Sequence, residues 1–237
     1  MNNSTIIQIK NLKKDFPIGK GFFTALQNIN ISIKTGEFLG LIGPSGSGKT
    51  TLLNIIGSLD ICTEGEVTVL DKNVGTLSQI EAANLRSLSL GFIFQTYNLL
   101  PVYTVFENVE LPLLLLKQSQ SKRTKAVEEA LEWVGLEEKR NSRPAQLSGG
   151  ECQRVSIARA MVKKPKIVLA DEPTANLDAE NSHNILRTME SLNTELKTTF
   201  IFATHDEKVI QYLHRKISLV DGQVVNDEKV TNNQAGG

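Results

Sequence analysis

Gly43-Pro44-Ser45-Gly46-Ser47-Gly48-Lys49-Thr50 decides the fold. It fits G-x-x-x-x-G-K-[ST], a loop that wraps phosphate groups. Before it, Phe38-Leu-Gly-Leu-Ile42 reads as a buried strand; after it, Thr51-Leu-Leu-Asn-Ile-Ile56 reads as the start of a helix. The motif needs this strand, turn and helix context. Its glycines let backbone N–H groups converge on one point, and the helix dipole adds positive character there. The pattern predicts nucleotide binding along Gly43 to Thr51, with Lys49 on the β- and γ-phosphates and the Thr50 hydroxyl on Mg²⁺. The plain alternative, a glycine-rich turn with a surface lysine, leaves the flanking apolar runs without a purpose.

At 237 residues the chain has room for one large domain, or one domain with a subdomain. Net charge is zero, which gives no electrostatic case for nucleic acid or an anionic membrane surface. Neither cysteine, Cys62 or Cys152, sits in a C-x-x-C pair, so metal and redox roles are unsupported and a reducing compartment is expected. Met1 to Lys10 lacks the pattern of a signal peptide. The longest apolar block, near Leu111 to Leu116, is far below the ~20 residues of a membrane span. The expectation is a cytosolic protein, or one held at a membrane through a partner. Thr231 to Gly237 reads as a frayed end.

Short strand patterns at Ile6 to Ile9 and Phe22 to Ile33 predict an antiparallel layer beside a nucleotide-binding core. Phe16 is expected in the loop between them, either stacking on a base or tucked into the core. Gly65 to Leu70 reads as a strand and Leu77 to Ser87 as an exposed helix. Gly91-Phe-Ile-Phe-Gln95 reads as a buried strand with a polar end. Ligands of open α/β sheets sit at such ends, so Gln95 is placed to touch a metal ion or water, unless it lies in an exposed loop. From Tyr97 to about Lys164 the pattern is helical and interrupts the alternation of strand and helix. The chain therefore divides into residues 1–96 and 165–237, a core with its antiparallel layer, and 97–164, an inserted helical subdomain. Within the insert, Leu147-Ser148-Gly149-Gly150 opens a helix that Ser148 caps, making a second anion-binding corner.

Lys166-Ile-Val-Leu-Ala-Asp-Glu-Pro173 is the other strong signal. Its apolar run suits a parallel strand buried on both faces. Asp171 and Glu172 stand at its end, and two adjacent acids at a dry strand end call for a cation. The nucleotide's Mg²⁺ would supply it through Asp171, leaving Glu172 to polarise the attacking water. A further core strand, Thr199 to Ala203, ends in Thr204-His205-Asp206. His205 can donate to a γ-phosphate or serve as a satisfied structural histidine. His183 and His214 fall on expected surface and receive no role.

In this order and at this spacing, the phosphate loop, Gln95, Leu147 to Gly150, Asp171-Glu172, Ala175-Asn-Leu-Asp178 and His205 resemble the ATP-binding subunit of ABC transporters over nearly the whole chain. The resemblance implies an α/β P-loop NTPase core with an antiparallel β layer and a helical subdomain. It implies ATP and Mg²⁺ as cofactors and transport-coupled hydrolysis, with Glu172, His205 and Lys49 catalytic. Thr50, Gln95 and Asp171 would hold the metal, and Phe16 would stack on the base. A second copy would face each nucleotide with Ser148, Gly149 and Gly150, and Asp178 would line the same interface. A likeness to the LolD and MacB branch rests on Cys62-Thr-Glu-Gly-Glu66, Gly91 to Pro101 and Thr104 to Pro112. It implies a separate membrane permease, met through the Gln95 to Leu116 region in a groove lined by Gln95, Tyr97, Leu99, Leu100 and Phe106. The chain would then sit on the cytoplasmic face of the membrane. Glu151 and Cys152 depart from the glutamine that commonly follows the signature; Glu151 places negative charge near the nucleotide. A soluble ABC ATPase acting on ribosomes or DNA is the alternative, but the chain shows neither paired cassettes nor a long coiled-coil insertion.

Overall fold

The computed structural model describes residues 4–230 and begins with a long hairpin. In it β1 (Thr5–Ile18) pairs antiparallel with β2 (Gly21–Lys34). β3 (Phe38–Ile42) leads through the phosphate loop into α1 (Lys49–Ile56). β4 (Glu64–Val69), β5 (Lys72–Asn73), α2 (Gln79–Ser89) and β6 (Leu90–Ile93) follow. Three helices come next, α3 (Val105–Leu115), α4 (Gln120–Trp133) and α5 (Gly149–Met161). Then come β7 (Ile167–Asp171), α6 (Ala179–Leu196), β8 (Thr199–Thr204) and the short α7 (Glu207–Ile210). A hairpin of β9 (Arg215–Val220) and β10 (Gln223–Lys229) closes the larger sheet. Thr231 to Gly237, expected to be a frayed end, lie outside the described residues.

That sheet has the order β10-β9-β3-β8-β7-β6, and only the β10–β9 pair is antiparallel. Its middle strands are apolar throughout because both faces are covered. Phe38, Phe200, Phe202, Val168 and Ala170 join a cluster with α3 to α6 on one side. Their neighbours Leu39, Leu41, Ile201, Ala203 and Leu169 join a second cluster with α1 and the smaller sheet on the other. The Phe38 ring lies 5.5 Å from Phe200 and 4.7 Å from Phe202. Each ring so buried contributes about 1.5–3 kcal/mol. Parallel β3, β8, β7 and β6 bring their carboxyl ends to one edge of the sheet, where ligands of such folds bind.

The smaller sheet, β2-β1-β4-β5, is the expected antiparallel layer. One expectation about it fails. Phe16 is not in a loop, because β1 runs on to Ile18 and pairs Phe16 with Phe23. Register shifts around Leu12, Lys14 and Asp15 broke the apolar alternation that would have revealed the strand. Lys14 is buried there, its ammonium 2.6 Å from Asp60.

Candidate functional site

The phosphate loop joins β3 to α1. Gly46 and Gly48 have φ of 81° and 99°, values that favour glycine, and a Cβ on Gly48 would lie 2.7 Å from the Ala25 carbonyl. Gly48 is also the N-cap of α1, and no side chain caps that helix. Its first N–H groups therefore face the loop without the usual partner. Lys49 is buried, and its Nζ donates to the carbonyls of Gly43 and Pro44, 2.8 Å each. Burial lowers its pKa; the charges of Glu172 and Asp171 oppose the shift. The Ser47 hydroxyl is buried with no hydrogen-bond partner among the described residues. An orphaned hydroxyl, an uncapped helix start and a retracted lysine fit a polyphosphate.

At the end of β7 the Thr50 hydroxyl lies 3.1 Å from both oxygens of Asp171. Burial pushes the Asp171 carboxyl above its ordinary range, against the Thr50 bond, and the Glu172 charge adds to the rise. A hydroxyl and a carboxylate in contact are hard oxygen donors of the kind Mg²⁺ takes, with phosphate oxygens and water completing its shell. Glu172 follows with φ of 44°, a left-handed backbone that a side chain seldom adopts. Both its oxygens are held: Thr204 Oγ1 donates to Oε2 at 2.9 Å, and His205 Nδ1 lies 2.6 Å from Oε1. β8 lies between β3 and β7, so its end delivers Thr204 and His205 to the same spot.

The second anion corner stands apart from this cluster. Among the described residues no hydrogen bond joins Ser148, Gly149 or Gly150 to residues 43–51. Ser148 caps α5: its hydroxyl accepts from the Glu151 N–H at 3.2 Å, and its own N–H donates to Glu151 Oε2 at 2.8 Å. The departure at Glu151 thus completes a capping box, which lowers its pKa, and Lys139 stands 3.6 Å away. Ser148 and Gly149 are exposed. Asp178 caps α6 through the Asn181 N–H at 2.8 Å. Asn181 in turn packs against buried Gly150, so Asp178 and the signature corner are neighbours within one chain.

Three expectations need correction or refinement. Gln95 lies two residues past the end of β6 rather than at it, because the ladder with β7 stops at Ile93. It is exposed, and its carbonyl accepts from Asn176 Nδ2 at 2.9 Å. Phe16 is 36% exposed, not tucked into the core, with the Lys14 ammonium 4.8 Å from its ring centre. The five residues expected to line a groove divide between roles. Leu99 and Phe106 pack against the buried cluster, and the Tyr97 hydroxyl turns toward Gly149. A cavity of about 650 Å³ opens instead between α2, β6, α3 and the end of α5, and none of the five expected residues lines it.

Residues 26–175 match the family model described as ABC transporter. The chain belongs to the ABC transporter family. This cassette is 44% identical over 229 residues to an uncharacterized ABC transporter ATP-binding protein, MJ0796 of Methanocaldococcus jannaschii, covering 95% of this chain and 97% of that one. It is 42% identical to the lipoprotein-releasing system ATP-binding protein LolD of Francisella tularensis, covering 94% and 96%. The macrolide export ATP-binding/permease protein MacB of Mannheimia succiniciproducens is 42% identical over 97% of this chain, which spans 36% of that longer protein. Among solved structures, dimeric MJ0796 in a post-hydrolysis state bound to ADP and Pi superposes with a TM-score of 0.88 at 43% identity, covering 95% of this chain and 99% of that one. The cassette is an ABC ATPase of the LolD and MacB branch, as its motifs implied.

Sequence reasoning passed over three residues that hold the cassette's site in shape. Thr204 holds Glu172, and Asn176 holds the Gln95 carbonyl. Arg159, on α5, donates to the carbonyls of Tyr97 at 2.6 Å and Asn98 at 2.5 Å, two successive left-handed residues. Thr204 stood in plain view beside His205, and Asn176 lay inside the quoted Ala175-Asn-Leu-Asp178 stretch; Arg159 carried no local signal.

Proposed function

We propose that two copies of this chain close head to tail around two ATP molecules, and that hydrolysis drives a separate membrane permease of the lipoprotein-releasing or exporting type. The observation that carries the reading is the split: the uncapped α1 start with Lys49 lies in one place, and the exposed Ser148-Gly149 corner in another. One copy's phosphate loop then meets its partner's Ser148, Gly149 and Gly150, with Asp178 at the seam. Residues 97–164 act as the signature subdomain, mounted on a core of 1–96 and 165–237. Lys49 leaves its loop carbonyls for the β- and γ-phosphates, and Phe16 stacks on the base. Thr50, Asp171 and Gln95 would hold Mg²⁺, which supplies charge neutralisation at the phosphate oxygens. Glu172 takes the proton of the attacking water, and His205 donates to the γ-phosphate. The permease docks over the Gln95 to Leu116 region, which borders the observed cavity. Among the described residues no helix is long and apolar enough to cross a membrane, so membrane attachment runs through that partner at the cytoplasmic face. The test is ATP hydrolysis per chain across a dilution series. Activity that rises with concentration supports the shared site; activity per chain that stays flat, with scattering that shows only monomers, rejects it.

A further inference from the structure

The ring of Phe16 rests on a cation. Lys14, two residues earlier on β1, is buried, and its ammonium lies over the ring, 4.8 Å from the centre. That is within the reach of a cation–π contact. An ammonium has three donors. Two are spent on oxygens, Asp60 Oδ1 at 2.6 Å and the Ile61 carbonyl at 2.8 Å. Asp60 Oδ1 also accepts the Ile61 N–H at 2.7 Å, so the acceptor is itself held. Asp60 lies just past the end of α1, the helix that begins at the phosphate loop. The hairpin touches that beginning too. A bulge leaves Ala25 out of the ladder, between Leu26, which pairs with Lys14, and Thr24, which pairs with Asp15. The Ala25 carbonyl is the group that a Cβ on Gly48 would meet at 2.7 Å. The hairpin is thus fixed against both ends of α1, and Phe16 stands beyond both contacts, toward the hairpin tip. Phe22 and Phe23 lie on the same hairpin and are more exposed, at 77% and 51%. Among the described residues neither has a cation over its ring.

We propose that Lys14 is a positioning residue for the nucleotide base: it covers one face of the Phe16 ring and leaves the other open, already oriented, for the base to stack on. The proposal rests on the stacking role given to Phe16 above and adds how that ring is held. A ring on an exposed hairpin would otherwise be ordered only when the base arrives, and ordering a side chain on binding lowers affinity. Lys14 orders it when the chain folds. Through Asp60 it also refers the ring to α1, so base platform and phosphate loop keep one spacing. A packed apolar side chain in place of Lys14 would serve stability as well as the ion pair does. What the pair adds is a fixed place for the cation.

The test is a double-mutant cycle on the full chain, read by calorimetry as the Kd for the non-hydrolysable analogue AMPPNP. Phe16→Ala should weaken binding about tenfold, as for the loss of one base–aromatic stack. Lys14→Met keeps an unbranched stem and removes the cation; it should weaken binding about threefold. In the Phe16→Ala background the same change should cost nothing further, because Lys14 acts only through the ring. A merely structural lysine would cost the same in both backgrounds, and that equality overturns the proposal. Lys14→Met at the parent Kd, with Phe16→Ala still weakened, overturns it too and spares the stacking role of Phe16. Phe16→Ala at the parent Kd sinks the stacking role and the proposal together. Thermal melts check that Lys14→Met folds. If it does not, Asp60→Asn, which slackens the anchor and keeps the cation, carries the same cycle. A loss that vanishes without the ring supports the proposal; a loss that persists, or no loss at all, overturns it.

Discussion

Two helices of this cassette begin at glycine-rich corners, and they begin differently. The start of α1 has no side-chain cap, an orphaned serine hydroxyl beside it, and a lysine parked on its own loop. The start of α5 is finished: Ser148 and Glu151 satisfy one another in a capping box. The first corner has unmet hydrogen-bonding demand, which a polyphosphate meets. The second has little demand of its own, yet leaves Ser148 and Gly149 in solvent. A demanding half and a self-sufficient half suit a site shared between two copies. On the proposed reading the demanding half would grip nucleotide first, and the other would be lent intact.

The sharpest break of that comparison comes from freezing the halves together. Glu172→Gln keeps the shape of the side chain and leaves Thr204 and His205 in place, but removes the base. ATP turnover should fall by about 10²–10⁴-fold, the range for losing a positioned general base. Nucleotide binding should persist, so ATP should hold a dimer visible by size-exclusion chromatography. Turnover at the parent rate would remove Glu172 from the chemistry.

A narrower break touches only the lent half. Aspartate caps a helix as well as serine does, so Ser148→Asp should leave the melting temperature near that of the parent. Its charge would face a triphosphate across the seam, and like-charge juxtaposition costs several kcal/mol. Turnover should drop about a hundredfold while monomer binding of ATP is kept. Mixing this variant with Lys49→Ala should restore part of the activity, because one site of the mixed pair then joins an intact loop to an intact corner. No recovery on mixing would mean that each chain builds its site alone.

Much of this was legible in the residues. The phosphate loop and the apolar runs of β3, β7 and β8 announced the central sheet, since strands buried on both faces cannot alternate. Ser148 announced its own cap. What stayed hidden depends on distance and on side-chain direction. Thr50 and Asp171 are 121 positions apart, and only the parallel order of β3, β8 and β7 brings them into contact. The strand through Phe16 was masked by Lys13, Lys14 and Asp15, whose charges read as loop until Lys14 is seen buried on Asp60. The cavity itself went unread because apolar character was followed along one segment. Part of that cavity comes from α2 and α5, far along the chain from one another, and Leu99 and Phe106, apolar too, serve the core.

The smallest of these changes tests the demanding half from behind. Thr204 is fully buried; its hydroxyl donates to Glu172 Oε2 and accepts the Asp206 N–H at 3.0 Å. Thr204→Val keeps the shape and removes both bonds. Losing the Asp206 contact should cost about 1 kcal/mol of stability. Losing the carboxylate contact should do something a packing defect would not. Glu172 sits on a left-handed backbone, so its carboxylate is aimed by these anchors rather than by a relaxed chain. With one anchor gone, kcat should fall about tenfold, as for a hydrogen bond to a charged group. KM for ATP should hold, because the Thr204 hydroxyl bonds to Glu172 and Asp206 and not to the phosphate loop. Thr204→Ser, which returns the hydroxyl, should recover most of the rate. If Thr204→Val lowers the melting temperature and leaves kcat untouched, Thr204 serves the fold alone, and His205 is enough to aim the base.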